Sequence, residues 1–186
     1  MRMRGDSIRV VHPLFQAEGD GSTPISSLQL IFDWMDVGKA LELNKLWHSM
    51  LPALTNHFSC KAIGASYANT YYAVALWGPP ISWNFNNKGY YELRRMAISS
   101  DAPKNTASRM LKIMRIMICK ARPDVVRLIS YQDTGVHRGT IYKASGWKPV
   151  GRRRGYKTTW SDYRKRADSI ATGDKIRWEY DLPQKH

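Results

Sequence analysis

Residues 90–121 read YYELRRMAISSDAPKNTASRMLKIMRIMICKA, and this stretch decides the fold class. Its first part, Tyr90 to Ile98, is rich in aromatic and apolar residues and predicts a strand. After the turn residues 99–103, apolar residues recur at helical spacing, which predicts an amphipathic helix from about Lys104 to Ala121, with Pro123 just beyond it. The first N–H groups of a helix have no partner within it and are available to an anion. The stretch therefore predicts a strand–turn–helix unit with a place for a phosphate at the turn.

The next segment, residues 125–151, reads VVRLISYQDTGVHRGTIYKASGWKPVG. It predicts a buried strand over 125–131, a short helix over 135–145 that carries Tyr142, and a turn at Gly146 into another strand. Two strand-to-helix units in succession predict an α/β domain in which two strands lie side by side.

The remaining elements complete a mixed sheet. A strand over 28–34 precedes a helix over 37–50 capped by Asp36. Two strands over 58–67 and 71–77 resemble a hairpin, because turn residues separate them. The last two strands are predicted over 148–160 and 175–181, joined by the basic segment 161–174. The fold class is thus α/β: a single domain over 28–182 with about six to seven strands flanked by helices, a basic C-terminal hairpin over 148–182, and a partly loop-like extension over 1–27.

Composition limits the classes of protein that this chain can be. It has 186 residues, of which 43% are hydrophobic, and this excludes wholesale disorder. No apolar run approaches the length of a membrane span, and no secretory signal is evident, so a cytoplasmic protein without a membrane partner is expected. Its two cysteines and five histidines show no metal-ligand spacing. No metal site is therefore predicted.

Positive charge is concentrated in the C-terminal half. The formal net charge is +14; residues 92–147 hold 11 basic and 4 acidic side chains, and residues 148–186 hold 11 and 5. The basic clusters alternate with aromatic residues, a pattern typical of nucleic-acid binding, although a solvated hairpin or a contact to a coenzyme phosphate would also fit. The candidate nucleic-acid-binding residues are Arg152, Arg153, Arg154, Lys157, Arg164, Lys165 and Arg166. Five further aromatic residues are candidate stacking faces for bases or ordinary packing residues: Trp77, Trp83, Phe85, Trp147 and Trp160.

The string IYKASGWKPVG, residues 141–151, resembles the segment after the fifth strand in the GNAT acyltransferase superfamily. The resemblance implies acetyl-CoA as cofactor, with Tyr142 near the thioester sulfur as a general acid. It also implies contacts of the cofactor with the strand end and the following turn: Met96, Ala97, Ile98, Lys104, Asn105, Thr106, Ala107 and Ser108. Asn105 stands where the family's phosphate loop has its first glycine, and Asn tolerates the left-handed conformation better than most residues.

A narrower resemblance is to the Mom family of phage DNA-modification proteins, which are GNAT-like. The motifs that carry it are the run 92–95 (ELRR), the glycine-poor turn 103–108, the run 130–134 (SYQDT) with 137–145 (HRGTIYKAS), and His48 followed by Pro52. In relatives the early His is often followed by Tyr, whereas this chain has Ser49. The resemblance implies an enzyme that adds a carbamoylmethyl group to the exocyclic amine of adenine in DNA, protecting a phage from restriction. Its partner would be DNA, either duplex with a flipped adenine or single-stranded.

An exocyclic amine is a poor nucleophile, so the site needs a group that takes its proton and a hydroxyl that protonates the leaving group. Asp133, at the end of a buried strand beside the helix of Tyr142, is the first candidate for base or base-orienting group. His48, His137 and Glu92 are the next candidates. Each has an ordinary structural alternative: Asp133 as a helix cap, the two histidines as exposed residues, Glu92 as an ion pair and Tyr142 as a core aromatic.

Two other functions remain open at this point. One is a conventional GNAT N-acetyltransferase of a protein, an aminoacyl-tRNA or a small amine. The other is a nucleic-acid-binding protein without enzymatic activity on an acyltransferase fold. Acetylation of an amine with DNA untouched would indicate the former, and DNA binding that depends steeply on salt, with no product, the latter.

Overall fold

The computed structural model describes residues 23–48, 54, 59–85, 88–153 and 173–184. These residues form seven strands and three α-helices in the predicted order. The elements are β1 (Ile31–Met35), α1 (Val37–Trp47), β2 (Lys61–Tyr67), β3 (Thr70–Gly78), β4 (Tyr90–Ile98), α2 (Thr106–Ala121), β5 (Arg127–Asp133), α3 (Thr140–Ala144), β6 (Lys148–Arg153) and β7 (Lys175–Asp181). Short 3₁₀ turns lie at Ser27–Gln29 and Trp83–Phe85.

All seven strands form one mixed sheet in the order β1-β2-β3-β4-β5-β7-β6. Every neighbouring pair is antiparallel except β4 and β5, which are parallel because α2 crosses over between them. Side chains alternate across the strands, so the sheet has two buried faces. The larger core lies between the sheet and α2 with α3, and the smaller one lies under α1.

The parallel pair separates soon after it begins. Only Tyr90–Glu92 pair with Arg127–Ile129, although both strands continue. The opposite edge of β4 carries a bulge, because Trp77 pairs with Leu93 and Leu76 with Arg95, which leaves Arg94 as the extra residue. A bulge bends its strand and increases the local twist. The gap between the two diverging strands is the central feature of the fold.

Several predicted elements agree closely with the structure. The strand Tyr90–Ile98 has the predicted bounds. The hairpin between β2 and β3 is also confirmed: Ala68 and Asn69 both have positive φ, +45° and +64°, as a two-residue turn between antiparallel strands requires. α2 begins at Thr106, two residues later than predicted, because Asn105 adopts a left-handed conformation that a helix cannot continue.

Other boundaries were wrong for local reasons. Ser26 caps a 3₁₀ turn, so β1 begins at Ile31 and not at residue 28. α1 ends at Trp47, since His48 is extended. The predicted helix over 135–145 shrinks to Thr140–Ala144, because Gly139, with φ +72°, ends the preceding turn in a left-handed conformation. Parts of five predicted segments lie outside the described residues: 1–22 of the extension, 49–50 of the first helix, residue 58 of the strand over 58–67, 154–160 of the strand over 148–160, and 161–172 of the basic segment.

Candidate active site

A cavity of about 760 Å³ fills the gap between β4 and β5. Residues 93–98 of β4 form one wall, and residues 130–142, from β5 to α3, form the other. Trp47 and His48 reach it from the end of α1, and Lys175 from β7. Because α1 and α3 lie on opposite faces of the sheet, the cavity is lined from both sides.

Tyr142 lines the cavity from the side of α2 and α3, and it is held firmly. Its ring stacks on Trp178 with centroids 5.2 Å apart, and Trp147 packs against it edge-on. Its hydroxyl lies 2.8 Å from the hydroxyl of Ser130 on β5. Burial raises the pKa of Tyr142, and the Ser130 hydrogen bond only partly opposes this effect. The phenol therefore keeps its proton at neutral pH and is able to donate it.

Gln132 fixes the loop that closes the cavity above Tyr142. It accepts a hydrogen bond from the Trp178 indole N–H at 2.7 Å and donates one to the carbonyl of His137. Gly139 is required beside it, because a Cβ there would lie 2.5 Å from the Gln132 oxygen. The buried strand and the loop 134–139 are thus connected through one side chain.

A cluster of basic groups lines the cavity on the α1 side. His48, at the end of α1, interacts electrostatically with both Arg95 and His137. Burial lowers the pKa of His48, and these two neighbours lower it further. Burial, and then the charge of Arg94, lower the pKa of Arg95, whose Nε is buried without a hydrogen-bond partner. His48 is therefore neutral at neutral pH, as a proton acceptor must be.

Asp133 lines the cavity, and its hydrogen bonds are those of a turn. Its Oδ1 accepts the backbone N–H of Gly135 at 2.9 Å, and its carbonyl accepts that of His137 at 3.0 Å. The aspartate therefore organises the loop that carries His137. It does not cap a helix, as the structural alternative for this residue expected, because α3 begins at Thr140 with Gly139 as its N-cap. His137 itself is exposed at the cavity wall.

Glu92 lies beside the cavity and does not line it. Only 4% of it is exposed, and burial raises the pKa of its carboxyl group. The N–H of Ile81 donates to its Oε2 at 2.9 Å, and Arg94 Nε lies 3.9 Å from its Oε1. Arg94 also donates to the carbonyl of Pro79. Both residues join β4 to the β3–β4 loop.

The turn before α2 lies beside a second, smaller cavity of about 250 Å³. Asn105 at its centre has φ +67°, as the sequence predicted for the position of a missing glycine, and its side chain makes no capping hydrogen bond. The N–H groups of Ala107 and Ser108 belong to the first helical turn and have no intrahelical partner. Among the predicted cofactor-binding residues, Met96, Ala97, Ile98 and Ala107 line the larger cavity; Ile98, Asn105, Thr106, Ala107 and Ser108 line the smaller one; Lys104 lines neither.

The predicted nucleic-acid-binding residues fall mostly beyond the described part of the chain. Arg154, Lys157, Arg164, Lys165 and Arg166 lie outside it, as does the side chain of Arg153. Arg152 is exposed on β6 and pairs with Asp174 at 2.8 Å.

The candidate stacking residues separate clearly by exposure. Trp77 and Trp147 are core residues, and Phe85 stacks on Tyr90. Trp83 is 80% exposed, and Trp160 lies outside the described residues.

Sequence reasoning assigned no role to Ser130, Gln132 or Lys175 at the site. A signal was available for the first two, because they are polar residues on the same face of an otherwise apolar strand. Lys175 gave no such signal, since it reaches the cavity only because β7 pairs with β5. No group of three His, Cys, Asp or Glu in the described ranges could hold a metal ion, and no helix there is long and apolar enough to cross a bilayer.

The model of the Mom protein family matches residues 78–178, more than half of the chain. This chain belongs to the Mom family. It is similar to the methylcarbamoylase Mom of Escherichia phage Mu, with 27% identity over 127 residues that cover 60% of this chain and 53% of that protein. The chain thus spans about half the length of that relative.

Solved structures establish the fold of this Mom-family chain. A Bacillus subtilis acetyltransferase in complex with CoA superposes with a TM-score of 0.61 at 11% identity, covering 83% of this chain and 99% of that one. The ribosomal-protein-S18-alanine N-acetyltransferase of Escherichia coli gives 0.59 at 11% identity over 83% and 95%. A GNAT-family acetyltransferase of Elizabethkingia anophelis with acetyl-CoA bound gives 0.52 at 14% identity over 83% and 99%. The predicted GNAT-like α/β fold is confirmed.

Proposed function

We propose that this chain is a DNA-modifying transferase that joins an acyl group to the exocyclic amine of adenine, using an acyl-CoA donor, in the cytoplasm of a phage-infected host. The carbamoylmethyl group expected from the sequence is attached through a methylene carbon, which attack of an amine on a thioester does not form. A group attached through its carbonyl, such as methylcarbamoyl, balances, because the N–C bond forms as the C–S bond breaks and the thiol leaves.

The observation that carries the proposal is the place of the family match. Residues 78–178 include the whole cavity wall formed by β4, β5 and α3. What the Mom family shares is therefore the part of the fold that builds most of the site, while Trp47 and His48 reach the cavity from outside the matched region.

The side of the cavity next to α2 and α3 fits a coenzyme A donor. The turn at Asn105 presents the free N–H groups of Ala107 and Ser108, which suit a pyrophosphate. Past Leu93, the edge of β4 that faces β5 pairs with no strand among the described residues, so its backbone groups are available to an amide-containing arm. When bound, an acyl-CoA supplies the activated group and a thiol leaving group. CoA and acetyl-CoA are held by two of the structural neighbours, which supports this assignment.

The α1 side of the cavity fits the acceptor. His48, kept neutral by burial and by Arg95, is the group we propose to take the proton of the adenine amine. His137 lines the same cavity on the loop that Asp133 organises, so we assign Asp133 the positioning of that loop, while His48 is the proposed base. Glu92 does not line the cavity and holds the neighbouring loop through the Ile81 N–H, so we assign it a structural role and no proton transfer.

Tyr142 is the proposed general acid. Its hydroxyl carries a proton at neutral pH, lines the cavity and is oriented by Ser130. In this role it gives its proton to the departing sulfur while a base on the opposite wall receives the proton of the amine. The two proton transfers then take place on opposite faces of the sheet.

The surface charge suits DNA as the partner. The formal charge of +14 provides salt-sensitive attraction to phosphates, and the predicted DNA-binding residues follow β6. An adenine that is stacked and paired within a DNA duplex cannot enter the cavity between β4 and β5. The adenine must therefore be flipped out of the duplex or already be unpaired.

The test is a nucleoside analysis of DNA. The chain is expressed in a bacterial host, the host DNA is digested, and deoxyadenosine adducts are measured by mass spectrometry. We expect a heavier deoxyadenosine that is lost with Tyr142→Phe and with Asp133→Ala. Glu42→Gln is the matched control, because Glu42 lies on the exposed side of α1. We expect this variant to produce as much modified deoxyadenosine as the wild type.

Two outcomes would contradict the proposal. Unaltered DNA from a well-folded protein that acetylates a peptide or a charged tRNA would assign an ordinary N-acetyltransferase. Full modification by both site variants would leave the DNA substrate in place but remove the assignment of Tyr142 and Asp133.

A further inference from the structure

The β3–β4 loop exposes two large apolar side chains that are separated by a single residue in the sequence. Trp83 is 80% exposed and Ile81 is 70% exposed. Exposed large apolar residues close together mark a surface that contacts another molecule. The other described tryptophans that were sequence candidates, Trp77 and Trp147, are 0% and 3% exposed, so packing does not explain Trp83 as it explains them.

The loop is fixed in place although its apolar side chains face solvent. Arg94 donates to the carbonyl of Pro79, and the Ile81 N–H donates to buried Glu92. At the other end, Phe85 stacks on Tyr90 at 5.3 Å. Trp83 and Phe85 belong to one 3₁₀ turn, so Trp83 stands on a rigid base. A loop whose backbone is already held in place loses little conformational entropy when a partner binds.

The anchors of the loop connect it to the acceptor side of the cavity. Arg94 is a cavity residue, and Glu92, which holds Ile81, interacts electrostatically with Lys175, another cavity residue. The guanidinium of Arg177 lies 5.0 Å from the centre of the Phe85 ring. The apolar tip of the loop is thus anchored at the side of the site where His48 and Arg95 lie. The two arginines beside it are ion-paired, Arg94 with Glu92 at 3.9 Å and Arg177 with Glu179 at 2.8 Å.

We propose that Trp83, with Ile81 beside it, is the wedge that enters the DNA base stack and occupies the space of the flipped adenine. This inference rests on the proposed function. Proteins that unstack bases insert an apolar side chain between them, and enzymes that act on a base within a duplex must extrude it. The formal charge of +14 attracts the phosphates on either side of the opened step.

The test compares duplex with single-stranded DNA, because a wedge is needed only where a base must leave a stack. Plasmid DNA is supplied intact or heat-denatured, and the modified deoxyadenosine is measured in both. We expect Trp83→Ala to lower modification of the duplex by about 5- to 100-fold and its affinity for duplex in filter binding by a similar factor, as the loss of one base–aromatic stack implies. Modification of denatured DNA should stay within about twofold of wild type, because no unstacking is required.

Two control variants accompany it. Trp83→Phe keeps a stacking ring and should restore most of the duplex modification. Ile116→Ala removes an exposed apolar side chain of α2 and should leave the modification of duplex and of denatured DNA unchanged. The thermal midpoint of Trp83→Ala should lie within about 2 °C of wild type, since the side chain is exposed.

The outcomes separate this inference from the function on which it rests. Equal modification of both DNA forms by Trp83→Ala and wild type, or an equal loss on both forms, would overturn the wedge while leaving the DNA substrate intact. A folded wild-type protein that neither binds nor modifies either form would overturn the proposed function and the wedge with it.

Discussion

The hydroxyl pair Ser130–Tyr142 offers a test in which stability and activity respond differently. The perturbations are Tyr142→Phe, Ser130→Ala and the double variant. Tyr142→Phe preserves the ring that stacks on Trp178 at 5.2 Å and removes only the hydroxyl. It leaves the Ser130 hydroxyl, on a residue that is 2% exposed, without its partner at 2.8 Å.

An unsatisfied buried hydroxyl costs about 1–3 kcal/mol of the free energy of unfolding. For a chain of this length, this corresponds to a fall in the thermal midpoint of about 2–4 °C per kcal/mol. The double variant removes both polar groups and leaves no unsatisfied one. We therefore expect its loss of stability to be smaller than the sum of the two single losses, by about 1 kcal/mol.

Activity should follow another pattern. If Tyr142 is the general acid, Tyr142→Phe and the double variant lose about 10²- to 10⁴-fold in modification rate. Ser130→Ala keeps the phenol and should lose much less. The measurements are thermal unfolding and mass spectrometry of digested DNA. A Tyr142→Phe protein that modifies DNA at the wild-type rate would refute the catalytic role, and strictly additive stabilities would refute the buried coupling.

Three further predictions concern the turns and the charge of the site. Asn105→Gly should equal or exceed wild type in thermal stability, whereas Asn105→Ala should lose about 1 kcal/mol, because φ +67° disfavours a side chain. Arg95→Gln should raise the pKa of His48 toward 6.5 in an NMR titration and move the acidic limit of activity to higher pH, because it removes a positive charge; an unchanged titration would refute the coupling. Gly139→Ala should lower the free energy of unfolding by about 2 kcal/mol or more, because residue 139 is left-handed and its new Cβ would meet Gln132 and Trp178. Gly151→Ala is the control, because no atom lies within 4 Å of its new Cβ; equal thermal midpoints for the two variants would contradict the packing at Gly139.

The order of elements could be predicted because each carries a local signal. The helical spacing in residues 106–121 and the turn chemistry of Ala68-Asn69 act over a few residues, and the structure follows both. The ends of α1 and α3 could not be predicted, because they depend on single backbone conformations. Gly139 is left-handed and His48 is extended, and neither state follows from hydrophobic spacing.

The site was only partly predictable, since its residues meet through strand pairing. Tyr142, Asp133, His48 and His137 all line the cavity, as their selection implied. The contacts of these residues depend on how the elements pack. Ser130 meets Tyr142 only because α3 packs back onto β5. The role of Glu92 differs for a similar reason, because the loop that occupies its Oε2 lies 11 residues away along the chain.

The substitution of asparagine for glycine before α2 connects the sequence to the function. A glycine-rich turn lets a backbone approach a pyrophosphate closely from several directions, whereas Asn105 supplies a single left-handed residue and keeps a polar side chain that caps nothing. The N–H groups of Ala107 and Ser108 have no intrahelical partner, so they remain available to the pyrophosphate of the proposed donor. We infer that donor specificity in this chain depends less on phosphate contacts and more on the wide gap between β4 and β5, whose volume is about 760 Å³. Mutations that narrow this gap should therefore impair donor use more than mutations of the turn.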